Sequence, residues 1–131
     1  MKFLNILISP LSQTPIYEQI EMQIKELVLS GKLKSGEQLP SIRLMARDLK
    51  VGIITVKRAY DDLCAEGITM SLAGRGIFVA DIDEKRSKKI HLDMLSERLL
   101  EIIGFCNSTG ISKQELEEQI NNIYGGCKND K

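Results

Sequence analysis

The sequence is poor in the residues on which many enzymes and secreted domains depend. Its 131 residues include no tryptophan, a single histidine (His91) and three cysteines (Cys64, Cys106 and Cys127), none of them in a CxxC pair. A lone histidine cannot form a multi-histidine metal centre and leaves little material for a His-activated nucleophile. Three unpaired cysteines are more typical of a reducing cytoplasm than of a disulfide framework or a zinc site. We therefore expect a non-enzymatic, cytoplasmic protein without a metal or cofactor.

Long hydrophobic runs are also missing. The apolar stretch at 3–8 is far shorter than the roughly 20 residues that cross a bilayer, and no small-residue cleavage site follows it. The fractions of apolar (43%) and charged (27%) residues are those of an average soluble protein. The composition therefore predicts one ordinary domain, or a small domain with an appendage, and no membrane association.

Charge is balanced overall but is unevenly distributed. The chain has 18 basic and 18 acidic residues, yet residues 32–58 contain seven basic and two acidic ones, a net charge of +5. Residues 92–131 contain four basic and seven acidic ones, a net charge of −3. A basic segment at 32–58 and an acidic segment at 92–131 suit a molecule that presents one end to a polyanion. Ordinary scatter of surface charge is the alternative at this point.

Helical spacing and turn signals predict a winged helix-turn-helix domain at 13–80. A first helix begins with Thr14 as cap and Pro15 in the first turn, and ends at Ser30-Gly31. A second runs from the cap Ser41 to about Lys50, and a third from about 53 to 66. Two β-type runs, 68–72 and 77–80, flank a glycine-rich loop. The predicted fold is thus mainly α with a small β-hairpin, after an extended arm at 1–12.

The remaining residues predict a two-helix appendage. We interpret 81–90 as a charged linker, 91–107 as a fourth helix, and Ser112 with Glu115 as the capping box of a fifth helix that ends near Tyr124. We interpret 125–131 as a tail. The segment 91–124 is too small to hold its own core, so the apolar faces of its two helices predict a homodimer. The alternative is that both helices fold back on their own winged helix. The predicted dimerisation residues are Leu95, Leu99, Ile102, Ile103, Leu116, Ile120 and Ile123.

Several segments in register resemble the N-terminal DNA-binding domain of GntR-family bacterial transcription regulators. The segments are 15–20 (PIYEQI), 31–43 (GKLKSGEQLPSIR), 55–60 (TVKRAY), 66–67 (EG) and 74–79 (GRGIFV). The resemblance covers about residues 13–80, and the short remainder is similar to the YtrA-like branch. It implies a repressor that binds double-stranded operator DNA as a dimer, and that branch implies control of a transporter operon. No effector ligand can be read from the sequence.

The helix-turn-helix interpretation predicts which side chains contact DNA. The N-terminal residues of a recognition helix point at base edges. In this chain those residues are Thr55 and Lys57, and Arg58 is the next residue along the helix. The resemblance implies that Arg43 reaches a base or its adjacent phosphate; a surface salt bridge is the alternative. Arg75, beside Gly76 at the wing tip, is predicted to enter the minor groove. Phosphate contacts are predicted for Ser41, Arg47 and Lys34, each of which has a merely solvated side chain as its alternative.

One segment departs from the family pattern. Where the family places polar residues before Thr55, this chain has Gly52-Ile53-Ile54. The isoleucines cannot donate hydrogen bonds to bases, although an exposed one can contact a thymine methyl group. They motivate a second hypothesis, in which the winged helix is a protein-interaction module with only non-specific affinity for DNA.

Overall fold

The computed structural model describes residues 4–126, so residues 1–3 of the predicted arm and 127–131 of the predicted tail, including Cys127, lie outside it. The chain divides into two compact units, Met1–Ser87 and Lys88–Lys131. The elements of the described residues, in order, are α1 (Ile16–Leu29), α2 (Ile42–Leu49), α3 (Ile53–Ala65), β1 (Thr69–Leu72), β2 (Gly76–Val79), α4 (Glu84–Thr109) and α5 (Lys113–Gly126). The predicted fold class, mainly α with one hairpin, is confirmed.

The core of the first unit is formed where α1 and α2 pack on α3. Ile20 and Ile24 of α1 and Val56 of α3 are completely buried. Tyr60 of α3 is also buried, and its hydroxyl donates a 2.8 Å hydrogen bond to the carbonyl oxygen of Pro40. This bond satisfies the one polar atom of the side chain and fixes the chain just before α2.

Helix α1 begins differently from the prediction. Pro15, not Thr14, is the cap residue, with φ −56° and ψ 150°, and no side chain caps the helix. The prediction of Thr14 as cap and Pro15 as the first helical residue is therefore wrong by one position. The extended ψ of Pro15 moves the first helical residue to Ile16.

The arm lies along α1 and is held by two glutamines of that helix. The backbone of Leu7 exchanges two hydrogen bonds with the Gln23 side-chain amide, at 2.9 and 2.7 Å. Ser9 does the same with Gln19, at 2.8 and 3.0 Å. Ile6, the residue before Leu7, is buried. The described part of the arm is therefore anchored to α1.

The hairpin pairs β1 with β2 in antiparallel register, with Thr69 opposite Val79 and Leu72 opposite Gly76. Residues 36–39 add backbone hydrogen bonds on the other side of β2, through Gly36, Val79 and Leu39, and Gln38 forms a bridge with Phe78. The wing is thus attached along its length to the segment that leads into α2.

Helix α4 begins at Glu84, seven residues before the predicted start, so the prediction of a linker at 81–90 is wrong from Glu84 onward. The carboxylate of Asp83 accepts a 2.8 Å hydrogen bond from the backbone N–H of Arg86, which is the geometry of an N-cap. Lys89 and Asp93 form an i,i+4 ion pair further along the helix. The charged stretch is therefore a capped first turn rather than a linker.

Helix α5 begins with the predicted capping box. The Ser112 hydroxyl accepts from the N–H of Glu115 at 3.1 Å, and the Glu115 carboxylate accepts from the N–H of Ser112 at 2.9 Å.

Among the described residues of the second unit only Cys106 is buried. No helix within residues 4–126 is long and apolar enough to cross a membrane.

Candidate nucleic-acid interface

Helices α2 and α3 form the predicted helix-turn-helix, joined by Lys50, Val51 and Gly52. Lys50 adopts a left-handed conformation, with φ 58° and ψ 45°, which ends α2. The N–H of Val51 then donates to the carbonyl oxygen of Ala46 at 3.0 Å and satisfies one of the free carbonyls at the end of the helix. Met45 and Ala46 are buried on the inner side of α2, so its outer side is left to solvent.

The outer side of α2 carries two arginines beside an open depression. Arg43 and Arg47 are exposed, and within residues 4–126 neither forms an ion pair. They line a depression of about 670 Å³ whose other walls include Ser41 at the start of α2 and Ile53 at the start of α3. Two solvated guanidinium groups at a concave surface can donate to phosphate or to guanine.

Ser41 has a capping role, as predicted. Its hydroxyl oxygen accepts a 3.1 Å hydrogen bond from the backbone N–H of Leu44. The hydroxyl proton is not used in this bond, and the side chain is exposed. Ser41 can therefore cap α2 and donate to a phosphate oxygen at the same time.

The N-terminus of α3 is apolar and lacks a side-chain cap. Its cap residue, Gly52, has no side chain that could accept from the first-turn N–H groups. Ile53 is 47% exposed and Ile54 is 83% exposed, whereas Thr55 is half-buried. The first turn of the recognition helix thus presents unpaired backbone donors together with an exposed aliphatic side chain.

The two cationic residues of α3 are both engaged by neighbours. Lys57 pairs with Asp61 at 2.7 Å, and both side chains are about 60% exposed. Arg58 lies 3.9 Å from the centroid of the Tyr17 ring on α1, and its Nε is 3.9 Å from the carboxylate of Asp62. Exposed ion pairs of this kind contribute little stability, so Lys57 can exchange Asp61 for a phosphate at small cost.

Thr55 and Lys57 do not share a face of α3. Residues two positions apart lie on different sides of a helix, whereas residues three and four apart are neighbours. Ile54, Lys57 and Arg58 therefore form one exposed face, and Thr55 lies to the side of it. The sequence analysis predicted base contacts for both Thr55 and Lys57 and did not distinguish the two faces of α3 on which they lie.

Arg75 and Gly76 lie at the tip of the wing, where Gly74 has φ 74° and Gly76 has φ 121°. The Arg75 side chain is exposed, while its carbonyl oxygen accepts a 2.9 Å hydrogen bond from the Gln38 side-chain amide. A Cβ at Gly76 would lie 2.6 Å from the Gln38 Nε2 atom, so only glycine leaves room for this contact. Gln38 therefore positions the wing tip, a role that no local pattern in the sequence indicates.

Lys34 lies at the other end of the wing. It belongs to the turn before residues 36–39, where its backbone N–H donates to the Glu37 carboxylate at 2.9 Å. Gly36 in the same turn donates a hydrogen bond to the carbonyl oxygen of Val79, which is the last residue of β2. Gly76, beside Arg75, is the first residue of β2. Lys34 and Arg75 are thus separated by the length of β2, about 10 Å for four residues.

A buried carboxyl group lies between α1 and the recognition helix. Glu21 is only 9% exposed, and its Oε2 atom has no hydrogen-bond partner among the described residues. Burial, a hydrogen bond with Asp62 and the charges of Asp62 and Glu66 raise the pKa of Glu21 to about 8, against a smaller lowering by Lys25. Lys25 itself pairs with Glu66 at 2.7 Å. Glu21 is therefore largely protonated at neutral pH.

Comparisons with known proteins identify a family and a similar relative. Residues 16–79 match the family model described as "Bacterial regulatory proteins, gntR family". The chain is 39% identical over 129 residues to the HTH-type transcriptional repressor YtrA of Bacillus subtilis, covering 95% of this chain and 99% of that protein.

Solved structures agree with the sequence match. A transcriptional antiterminator from Listeria monocytogenes superposes with a TM-score of 0.69 at 33% identity, over 89% of this chain and 87% of that one. The DNA-binding domain of AraR, solved in complex with its operator ORX1, superposes with a TM-score of 0.53 at 29% identity, over 61% of this chain and 100% of that one.

Proposed function

The chain belongs to the GntR family of bacterial regulatory proteins and to its short YtrA-like branch, and from this we propose that it is a sequence-specific DNA-binding repressor. One observation carries the proposal: the exposed Arg43 and Arg47 of α2 lie around the same depression as the N-terminus of the recognition helix α3. A cationic rim beside a helix end suits a phosphate backbone that flanks the major groove.

Each cationic side chain has a proposed task. Arg43 contacts guanine or its phosphate next to the base-reading end of α3. Lys57 leaves Asp61 and, with Arg58 and the neighbouring Thr55, contacts the DNA along α3. Arg75 enters the minor groove from the wing tip, where its backbone is held by Gln38.

The phosphate contacts come from residues at the edges of the surface. We assign them to Arg47, Ser41 and Lys34, whose side chains are exposed in the first unit. Such contacts raise affinity for every duplex and carry no sequence information. They therefore predict a binding constant that falls steeply with salt concentration.

The second unit is proposed to join two copies of the chain. The predicted interface residues Leu95, Ile102, Ile103, Ile120 and Ile123 are between 39% and 61% exposed, and Leu99 and Leu116 are half-buried. A helix pair with this much uncovered apolar surface is stabilised by burying it, and a second copy is the economical partner. Two domains related by a two-fold axis would then bind the half-sites of a pseudo-palindromic operator about one helical turn apart.

Repression follows if the dimer covers the promoter of the genes it controls. The B. subtilis relative is named a repressor, which supports this sign of regulation. We extend the branch's association with transporter operons to this chain as part of the same proposal. With DNA as the proposed partner, we propose that the protein acts in the bacterial cytoplasm.

Binding to the DNA upstream of the protein's own gene tests the proposal. We expect salt-sensitive and sequence-selective shifts in a gel assay, and a loss of about 5- to 150-fold for Arg43→Ala, from a contact of about 1–3 kcal/mol. Lys113→Ala removes an exposed charge of the same sign on α5 and is expected to bind like wild type. Equal affinity of Arg43→Ala and wild type would refute the assigned base contact.

The dimer is tested separately by sedimentation velocity. We expect a dimer for wild type and a shift to monomer for Ile120→Glu, which places a charge in the apolar face. Asn121→Glu adds the same group at the next exposed position and is expected to remain dimeric. A monomeric wild-type chain at micromolar concentration would contradict the proposed dimer.

The exposed Ile53 and Ile54 give the second hypothesis, a protein-interaction module, its only specific support. Under that hypothesis, binding to DNA would be independent of sequence, and Arg43→Ala would lower the affinity for all duplexes equally. The same gel assay, run with a scrambled duplex, distinguishes the two functions.

A further inference from the structure

Ile54 is the most unusual residue on the recognition helix. It is 83% exposed at the second position of α3, in the first turn of the recognition helix, where side chains meet base edges in the major groove. Ile53 beside it is 47% exposed and lines the depression with Arg43 and Arg47. The feature is therefore a small apolar surface next to exposed positive charge.

The surroundings of Ile54 limit what can cover it. Lys57 and Arg58 lie three and four residues further along α3 and share its face, and the two arginines of α2 border the depression next to Ile53. A partner must therefore offer negative charge around a small apolar group. In the major groove the only apolar group on a base edge is the C5-methyl of thymine, and phosphates flank it on both sides.

We infer that Ile54 contacts a thymine C5-methyl group in each half-site, with Ile53 supporting it from the side of the depression. The inference rests on the proposed DNA-binding function and makes Ile54 a specificity-determining residue. Because a branched aliphatic side chain neither donates nor accepts hydrogen bonds, it reads the methyl group and not the heteroatoms of the base. The same site therefore accepts 5-methylcytosine better than cytosine.

The experiment uses a duplex that the protein itself selects from a randomised library. Each thymine is replaced in turn by deoxyuridine, which differs only by the missing methyl group, and affinity is measured by fluorescence anisotropy. We expect one thymine per half-site at which the replacement weakens binding about four-fold, the equivalent of one buried methyl-sized group, and about 15-fold when both half-sites are changed.

Variants of Ile54 then assign the effect to this side chain. Ile54→Ala is expected to bind thymine and deoxyuridine duplexes equally, whereas Ile54→Val keeps part of the discrimination. Leu11→Ala removes an exposed apolar side chain of the arm and keeps the wild-type preference. Because Ile54 and Leu11 are both exposed and contribute little to the core, circular dichroism melting should show the wild-type fold for all three variants.

The outcomes separate this inference from the proposed function. If wild type selects a sequence but no thymine prefers its methyl group, or if Ile54→Ala keeps the preference, the role of Ile54 is overturned while DNA readout stands. If no sequence is enriched from the library, the proposed function itself fails. Restored affinity for a cytosine-containing duplex on 5-methylation, lost in Ile54→Ala, supports the inference a second time.

Discussion

Replacing Glu21 with glutamine is expected to stabilise this protein at neutral and alkaline pH. The Glu21 carboxyl is buried between α1 and α3, where it faces the carboxylates of Asp62 and Glu66 and the ammonium group of Lys25. Protonated Glu21 can donate a hydrogen bond to Asp62, which ionised Glu21 cannot. Glutamine has nearly the same shape and keeps a donor at this place without carrying charge.

The magnitude follows from the pKa of Glu21, which rises from 4.5 to about 8 on folding. Below pH 4.5 the group is protonated in both the folded and the unfolded state, and its stabilising contribution is fully present. Between pH 4.5 and about 8 the folded state binds more protons, so the free energy of unfolding falls as the pH rises. At 1.36 kcal/mol per pKa unit the total loss is on the order of 5 kcal/mol, a large share of the stability of a small domain.

Urea unfolding monitored by circular dichroism at pH 5, 6, 7, 8 and 9, at one protein concentration, checks this prediction. We expect Glu21→Gln to match wild type at pH 5 within about 1 kcal/mol and to exceed it by on the order of 3–4 kcal/mol at pH 8. Glu18→Gln, at an exposed position of α1, removes the same charge and should follow wild type throughout. Parallel curves for wild type and Glu21→Gln from pH 5 to 9 would refute the reasoning.

Three further substitutions test the interface and its support. Asp61→Asn frees Lys57 from its ion pair and should raise DNA affinity about 2- to 5-fold in an anisotropy titration; unchanged or weaker binding would speak against a role for Lys57. Ser41→Ala removes the cap of α2 and should lower the free energy of unfolding by about 1 kcal/mol in urea, and a neutral result would mean that the cap is not needed. Gly76→Ala forces φ 121° on a residue with a Cβ and crowds Gln38, so we expect a loss of about 1–3 kcal/mol and faster amide hydrogen exchange in the wing; wild-type exchange rates would contradict this.

Local patterns in the sequence were sufficient to predict most elements of the fold. The serine cap at Ser41 and the capping box at Ser112 each act within a few residues of the chain. Their geometry depends on neighbours in sequence, so spacing alone predicts them. The differences at Pro15 and Glu84 are also local, because neighbouring residues can each cap a helix and a charged segment is compatible with either a first turn or a linker.

The candidate interface depended more on tertiary structure. The sequence indicated that Arg43 and Arg75 are cationic and lie in a winged helix, but only the fold brings Gln38 against the carbonyl oxygen of Arg75, 37 residues away. Tyr17 under Arg58 is a contact of the same kind, since it joins side chains of different helices.

The sequence by itself determined the helix-turn-helix and its hairpin, because caps, glycines and apolar spacing act locally, and it determined the family through the segments that resemble it. Tertiary structure decided which charges stay available to DNA and which are held by neighbours: Arg43 is exposed, Lys57 is paired, and Glu21 is buried beside Asp62. The physical reason is that the energy of a charge depends on its solvent and its partners, and folding assembles both from distant parts of the chain.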